Sequence, residues 1–231
     1  MIAAMLLDIE GTTTPIDFVH KTLFPYAAAH IRNYVRDNFD SLREEVSALR
    51  TEHAGDVDYA YGFDETSFQS VSDYLGYLTE VDRKSTPLKS IQGEIWQHGY
   101  EAGELRSEVF DDVPAAFERW VGDGRTIAIY SSGSVLAQKL LFRYTNFGDL
   151  TSFISNYFDT TIGGKKEPQS YIKIADALHV PPASIQFVSD VPAELTAACE
   201  SGLSTALSVR PGNPAWAVDQ NSRLINSFDE V

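Results

Sequence analysis

The sequence predicts an α/β protein with an open, parallel, doubly wound (Rossmann-like) sheet and a helical cap inserted after the first strand. Two observations predict this fold. Short apolar runs typical of buried strands alternate with helical patterns along most of the chain, and one long interval carries helical patterns alone. A length of 231 residues suits one domain with an insertion, or two small domains.

Short apolar runs bounded by polar residues are predicted to form the strands. Their bounds are Ala3–Ile9, Thr126–Tyr130, Phe153–Phe158, Ile185–Val188 and Thr205–Val209, of which the third has the weakest pattern. Helical patterns lie between most of them, for example over Val135–Tyr144 and Ser170–Leu178. This alternation is typical of a parallel sheet with helices on both faces.

Residues 17–110 interrupt the alternation. Apolar side chains recur there at three- and four-residue spacing, as amphipathic helices require. They are Ile31, Val35, Phe39, Leu42, Val46 and Leu49, then Phe68, Val71, Leu75 and Leu78, then Leu88, Ile91 and Ile95. We expect residues 17–110 to form the cap and residues 1–16 and 111–231 to form the core domain. Ligands of doubly wound sheets bind beyond the carboxyl ends of the strands, where an insert after strand one is placed to cover them.

The charge and composition exclude several classes of protein. There are 18 Lys and Arg residues against 33 Asp and Glu residues, a net charge of −15, so a phosphate-rich nucleic acid is not an expected partner. No apolar run reaches the roughly 18–20 residues that span a bilayer. The apolar opening meets Asp8 at once, which indicates a buried strand rather than a signal peptide and predicts a cytoplasmic protein. The single cysteine, Cys199, excludes an internal disulfide and is expected to be buried on a helix.

The first strand runs into Asp8-Ile9-Glu10-Gly11, two carboxylates two residues apart followed by a glycine. At a strand end Asp8 can point into the crevice, and Gly11 allows a sharp turn that returns Glu10 to the same space. A strand-end aspartate followed by a turn is also common without any function, so this motif needs support from others.

Further polar clusters are predicted at the same sheet edge. They are Ser131-Ser132-Gly133-Ser134 after strand two, Gly163-Gly164-Lys165-Lys166 before a helix, and Ser189-Asp190 through Glu194 after strand four. A serine at a helix start can bind an anion but is more often an N-cap. If these residues have no role in a site, the lysines are a solvated pair, Asp190 is an N-cap, and Glu194 is a first-turn acid that faces the helix dipole.

Taken together, the clusters indicate phosphoryl transfer. Carboxylates about 4 Å apart repel by about 4 kcal/mol at an effective dielectric of 20, so Asp8, Glu10 and Asp190 gathered in one place require a cation. Oxygen ligands favour a hard metal, Mg²⁺ in particular where a phosphate completes the shell. A lysine and serine hydroxyls opposite the metal supply the anion-binding half.

These motifs resemble the haloacid dehalogenase superfamily and, within it, the enolase-phosphatases, also called acireductone synthases. The resemblance covers nearly the whole chain. The segments that carry it are Asp8-Ile9-Glu10-Gly11-Thr12-Thr13-Thr14-Pro15-Ile16, Phe18-Val19, Leu23-Phe24-Pro25-Tyr26, Ile129-Tyr130-Ser131-Ser132-Gly133-Ser134-Val135, Ala137-Gln138-Lys139-Leu140-Leu141-Phe142, Phe158-Asp159-Thr160, Ser170-Tyr171 and Val209-Arg210-Pro211-Gly212-Asn213.

The resemblance implies a bifunctional Mg²⁺ enzyme of methionine salvage with a small phosphorylated substrate. It would enolise 2,3-diketo-5-methylthiopentyl-1-phosphate and dephosphorylate the product to acireductone. By position, Asp8 and Asp190 would bind Mg²⁺, and Glu10 would join through its carboxylate or backbone carbonyl. Ser131, Ser132 and Lys165 would hold the phosphate; the family has Gly-His-Lys at Gly163-Gly164-Lys165, and Lys166 adjoins it.

We expect Asp8 to attack phosphorus and Glu10 to act as the acid and base. The base for enolisation is left open between Glu10 and insert residues, namely Lys89, Gln92, Glu94 and Trp96. Three alternatives remain: another phosphatase or phosphomutase of the superfamily, a hydrolytic dehalogenase, and a non-catalytic binding module. A monomer that binds neither membrane nor nucleic acid is expected.

Overall fold

The computed structural model describes residues 1–216 and 223–231, which group into two compact units. One unit consists of Met1–His20 and Arg106–Val231, and the other of Lys21–Leu105. The sequence placed the corresponding boundaries at residues 17 and 110. Among the described residues no helix is both long and apolar enough to cross a bilayer.

The first unit is built on a parallel six-stranded sheet. The strands are β1 (Ala4–Leu7), β2 (Thr126–Tyr130), β3 (Ile154–Phe158), β4 (Ile185–Ser189), β5 (Ser204–Ser208) and β6 (Leu224–Ile225), in the order β3-β2-β1-β4-β5-β6. β1 lies between β2 and β4, with Leu7 paired to Ile129 on one side and to Val188 on the other. The carboxyl ends of these three strands therefore meet at one edge.

The central strands are buried on both faces, which explains their continuous apolar sequences. All four residues of β1 and all five of β4 are buried. One face carries a cluster that includes Leu6, Tyr171, Ile174, Phe187 and Leu195. Helices cover this sheet as the sequence predicts, so the doubly wound α/β class is confirmed.

The helices lie close to the predicted patterns. They are α1 (Ile16–Phe18), α2 (Phe24–Asn38), α3 (Arg43–Ala54), α4 (Phe68–Glu80), α5 (Thr86–Glu101), α6 (Val113–Gly122), α7 (Val135–Arg143), α8 (Pro168–Leu178) and α9 (Pro192–Glu200). Proline opens α8 and α9, where its missing N–H and fixed φ are compatible with the first turn. The Ser134 side chain accepts from the Ala137 amide and so caps α7, the alternative that the sequence had left open.

The second unit, Lys21–Leu105, is helical throughout its regular structure. Within it α2 packs against α4 and α5. The apolar residues at three- and four-residue spacing are buried, except Phe39 and Phe68, which are partly exposed. The periodic pattern runs without interruption from Ile31 to Leu49, but the structure breaks the helix between Asn38 and Arg43 with a 3₁₀ turn at Phe39–Ser41.

Two details differ from the sequence interpretation. β6 was not predicted, because two residues are too few to show a strand periodicity. Cys199 is exposed, so the prediction that it is buried was wrong. Its neighbours Ala197 and Ala198 are the buried residues of this turn of α9, and Cys199 falls on the opposite side.

A buried ion pair anchors the segment that follows β5. Arg210 donates to Asp112 Oδ2 over 2.8 Å and to the carbonyl oxygen of Asn226 over 2.8 Å. Asp112 also accepts from the backbone amide of Phe228. Burial alone would raise the pKa of Asp112, but Arg210 and the Phe228 amide outweigh it and lower this pKa below its ordinary value.

We predict that Asp112→Asn destabilises the protein by roughly 2–3 kcal/mol near neutral pH, because the buried guanidinium loses its counter-charge. A carboxyl whose pKa is lower in the folded than in the unfolded state stabilises the fold above about pH 4, and this contribution is lost as the pH falls. The difference between variant and parent should therefore shrink at low pH. Urea unfolding at several pH values measures it, and a difference that stays constant down to acid pH contradicts this account.

Candidate active site

The turn after β1 lies against two carboxylates, those of Asp8 and Asp190. Asp8 follows β1 directly and is buried, and its Oδ1 accepts from the Ile9 amide over 2.8 Å. Gly11 has a φ of +66°. A Cβ at Gly11 would lie only 2.5 Å from Asp190 Oδ2, so Asp190 packs directly against the turn and only glycine fits here.

The ammonium of Lys165 lies between two buried carboxylates. Its Nζ is 2.6 Å from Asp8 Oδ1 and 2.7 Å from Glu194 Oε2. The hydroxyl of Ser189, at the end of β4, is 3.0 Å from Asp8 Oδ2 and 2.9 Å from Glu194 Oε2. A lysine and a serine thus join the ends of β1 and β4 to the first turn of α9.

Three hydroxyl groups hold the loop that carries this lysine. Tyr130 donates to the carbonyl oxygen of Gly163 over 2.8 Å, and Ser170 donates to that of Gly164 over 2.8 Å. Tyr171 donates to the carbonyl oxygen of Lys165 itself over 2.6 Å. Because β2 and α8 are parts of the sheet framework, these bonds fix the backbone from which the ammonium projects.

The site carries more negative than positive charge. Burial, and then the charge of Asp8, raises the pKa of Asp190 to about 7. The same two causes raise the pKa of Glu194 to about 6. Burial alone would lower the pKa of Lys165, but Asp8 and Glu194 outweigh it and raise this pKa. Lys165 is therefore charged, and one ammonium faces three carboxylates.

The donor set fits a hard divalent cation. Asp8 and Asp190 supply carboxylate oxygens, and a cation would offset the burial and the neighbouring negative charge that raise the pKa of Asp190. Among residues 1–216 and 223–231, no three His, Cys, Asp or Glu side chains converge on one point as ligands. Mg²⁺ commonly takes its other ligands from backbone or amide oxygens, from water or from a bound phosphate.

Glu10 and the serines lie close to this edge. The Glu10 side chain is 39% exposed, and its Oε2 is 3.6 Å from Nε2 of His20. Ser131 is buried directly after β2, where its Oγ accepts from the Gly133 amide, while Ser132 is exposed. Since Leu7 of β1 is paired with Ile129 of β2, both serines follow the strand next to Asp8.

The two adjacent lysines have different environments, and two of the insert residues considered as the enolisation base form hydrogen bonds. Lys166 is exposed, whereas Lys165 reaches Asp8. Trp96 is buried and its indole N–H donates to the carbonyl oxygen of Leu23 over 2.9 Å. Glu94 accepts a hydrogen bond from Tyr34.

Sequence reasoning missed two residues of the cluster. Glu194 was interpreted as a first-turn acid, and Ser189 was quoted without a role. The sequence contained a sign that Glu194 belongs to the cluster, because it follows Asp190 by four residues and both lie just after the end of a strand. The partnership with Lys165 is a long-range contact that no local pattern encodes.

The chain matches known proteins along most of its length. A family model for haloacid dehalogenase-like hydrolases matches residues 2–202. Enolase-phosphatase E1 of Leptospira borgpetersenii is 49% identical over 225 residues, which cover 97% of this chain and 96% of that protein. Enolase-phosphatase E1 of Synechococcus elongatus is 46% identical over 237 residues, covering 100% and 98%. A crystal structure of the unknown transcript 4 protein of Saccharomyces cerevisiae superposes with a TM-score of 0.83 at 33% identity and covers 100% of both chains.

We predict that Gly11→Ala costs more stability than Gly124→Ala, because only the former combines a positive φ with a collision. Gly124 has a φ of +77°, but no atom lies within 4 Å of the place that an added methyl group would take, so its substitution measures backbone strain alone, about 1 kcal/mol. Gly11→Ala adds the displacement of Asp190. Chemical unfolding of both variants gives the comparison, and equal losses would show that Asp190 can move aside freely.

Proposed function

The chain belongs to the enolase-phosphatase family of haloacid dehalogenase-like hydrolases, and we propose that it enolises 2,3-diketo-5-methylthiopentyl-1-phosphate and dephosphorylates the product to acireductone. The enzyme acts in methionine salvage. The observation that carries the assignment of the reacting group is the contact of Lys165 Nζ with Asp8 Oδ1 at 2.6 Å, because a phosphoryl group bound beside Asp8 would meet this ammonium.

Asp8 is the nucleophile in this proposal. One of its carboxylate oxygens bonds to phosphorus while the ester bond to the leaving oxygen breaks, giving an aspartyl-phosphate. Water then attacks phosphorus, releases phosphate and restores the carboxylate. Lys165 neutralises charge on the phosphoryl oxygens, and the hydroxyls of Ser131 and Ser132 hold them from the side of β2.

Glu10 carries the protons in this proposal. It is partly exposed and two residues from Asp8, so it can reach a bound substrate. It removes the α-proton in the enolisation and is then protonated for the next step, in which it gives a proton to the departing oxygen. Glu10, again a carboxylate, then accepts a proton from the attacking water, and release of that proton to solvent returns it to its starting form.

Asp8 and Asp190, with an oxygen of Glu10, would hold Mg²⁺. When bound, this ion withdraws charge from the phosphoryl oxygens and makes the proton next to a coordinated carbonyl more acidic. The excess of carboxylates over ammonium groups supports this arrangement.

We predict that Asp8→Asn abolishes phosphate release and leaves the fold intact, since asparagine keeps the size and the hydrogen-bond acceptor but is not a nucleophile. The assay supplies the diketo phosphate with Mg²⁺ and follows the ultraviolet absorbance of the enediol together with free phosphate. If the parent enzyme gives neither the enediol absorbance nor free phosphate, it acts on a different substrate. Substantial phosphate release by the variant would refute the role of Asp8.

We predict that Lys165→Ala lowers kcat/KM for phosphate release by about a hundredfold or more, because the ammonium that faces the phosphoryl oxygens is lost. Lys166→Ala is the matched control, since this side chain is exposed and its removal should change kcat/KM by less than about threefold. Equal effects of the two substitutions would contradict the assignment of Lys165.

A further inference from the structure

The loop after β5 reaches the turn that follows β1. It is the segment Val209–Asn213, and β5 is the neighbour of β4, whose end leads to Asp190. Arg210 fastens the loop through its ion pair with Asp112. At the end of the loop, the backbone N–H of Asn213 donates to the carbonyl oxygen of Arg210 over 3.1 Å. The side chain of Asn213 is thus presented from a fixed backbone.

The orientation of the Asn213 amide group is determined by its partners. Its Nδ2 donates to the carbonyl oxygen of Gly11 over 2.9 Å and to that of Ser208 over 3.1 Å. Carbonyl oxygens only accept, so the NH₂ group must face them, and exchanging N for O would set oxygen against oxygen. Oδ1 consequently points away from both carbonyls.

This oxygen lies beside a carboxylate. The place that a Cβ of Gly11 would occupy is 2.7 Å from Asn213 Oδ1 and 2.5 Å from Asp190 Oδ2. Both oxygens therefore lie against the same glycine. Oδ1 is buried and has no hydrogen-bond partner. Both oxygens are acceptors and both lie within 2.7 Å of one point, so they repel, and a buried oxygen without a partner is rare unless a ligand completes it.

We propose that Asn213 Oδ1 belongs to the divalent-cation site of Asp190, as an oxygen donor to the cation or to a water molecule that the cation holds. This inference rests on the proposed function for the presence of the cation. An amide suits the position because it adds an oxygen without adding a negative charge near Asp8, Glu10 and Asp190. Its NH₂ group also clamps the Gly11 turn, so one side chain serves both purposes.

Binding of Mg²⁺ alone to the purified chain, measured by isothermal titration calorimetry without substrate, tests the proposal. We expect Asn213→Ala to raise the dissociation constant for Mg²⁺ at least about tenfold, the usual size of the effect when an outer ligand is lost. The stabilisation that Mg²⁺ gives against thermal unfolding should fall in parallel. A purely structural role would lower stability equally with Mg²⁺ and with EDTA, and that result overturns the proposal.

Ser208→Ala is the matched control. The Ser208 hydroxyl donates to the same carbonyl oxygen of Gly11 over 3.0 Å, so its removal loosens the same turn and leaves Asn213 Oδ1 in place. We expect its Mg²⁺ affinity to stay within about threefold of the parent. If Ser208→Ala and Asn213→Ala weaken Mg²⁺ binding equally, the effect comes from the turn and the proposal is wrong.

Asn213→Asp covers the case in which the alanine variant fails to fold. Like the alanine variant, it loses the NH₂ group that donates to Gly11 and Ser208, but it keeps an oxygen on the side of Asp190. A folded Asn213→Asp protein should therefore bind Mg²⁺ at least as tightly as Ser208→Ala, which loosens the same turn, and weaker binding than that of Ser208→Ala contradicts the proposal. Failure of the proposed function is recognised separately, because then the parent chain itself releases no phosphate or binds no Mg²⁺.

Discussion

The buried ammonium of Lys165 is the interaction on which the site depends. Asp8 and Glu194 come from different elements, and two carboxylates cannot be buried side by side without a counter-charge. The lysine supplies it at 2.6 Å and 2.7 Å. The loop that carries this lysine is held by Tyr130 through Gly163 and by Tyr171 through Lys165. The positions of β1, β2, α8 and α9 at this edge are therefore coupled through one side chain.

The balance of charge around this ammonium also explains why the site suits its chemistry. The lysine is shared by two carboxylates, and Asp190 remains as a further buried acid with a raised pKa. Three carboxylates and one ammonium leave a charge of −2, which a divalent cation would neutralise, and the bound cation would in turn favour a phosphoryl dianion beside it. In the proposed arrangement the cation lies near β1 and β4, and the phosphoryl group lies near β2 and the lysine loop.

Much of the fold was predictable because it rests on local patterns. The fold class and the family are confirmed. β2 has the predicted bounds because four of its five residues, 127–130, form an unbroken buried run. The short β6 and the exposure of Cys199 were not predicted, since two residues show no period and one residue carries no information about the face it occupies. The roles of the individual site residues stay predictions.

The part of the site that sequence could not supply is made of contacts between distant segments. Glu194 has the features of an ordinary first-turn acid, and only the folded chain shows that it shares Lys165 with Asp8. The neutral amide of Asn213 gave no electrostatic signal at all. The geometry of its side chain supports the proposal, because Nδ2 donates two hydrogen bonds and Oδ1 lies near the carboxylate of Asp190.

The exposure of Cys199 has a practical consequence. It is the single cysteine of the chain, and it lies near the end of α9, the helix that begins beside Asp190 and carries Glu194. A maleimide fluorophore or a nitroxide spin label would attach at this position alone, without any engineered thiol. The native sequence thus offers a spectroscopic reporter on the helix that joins the acidic site to the protein surface.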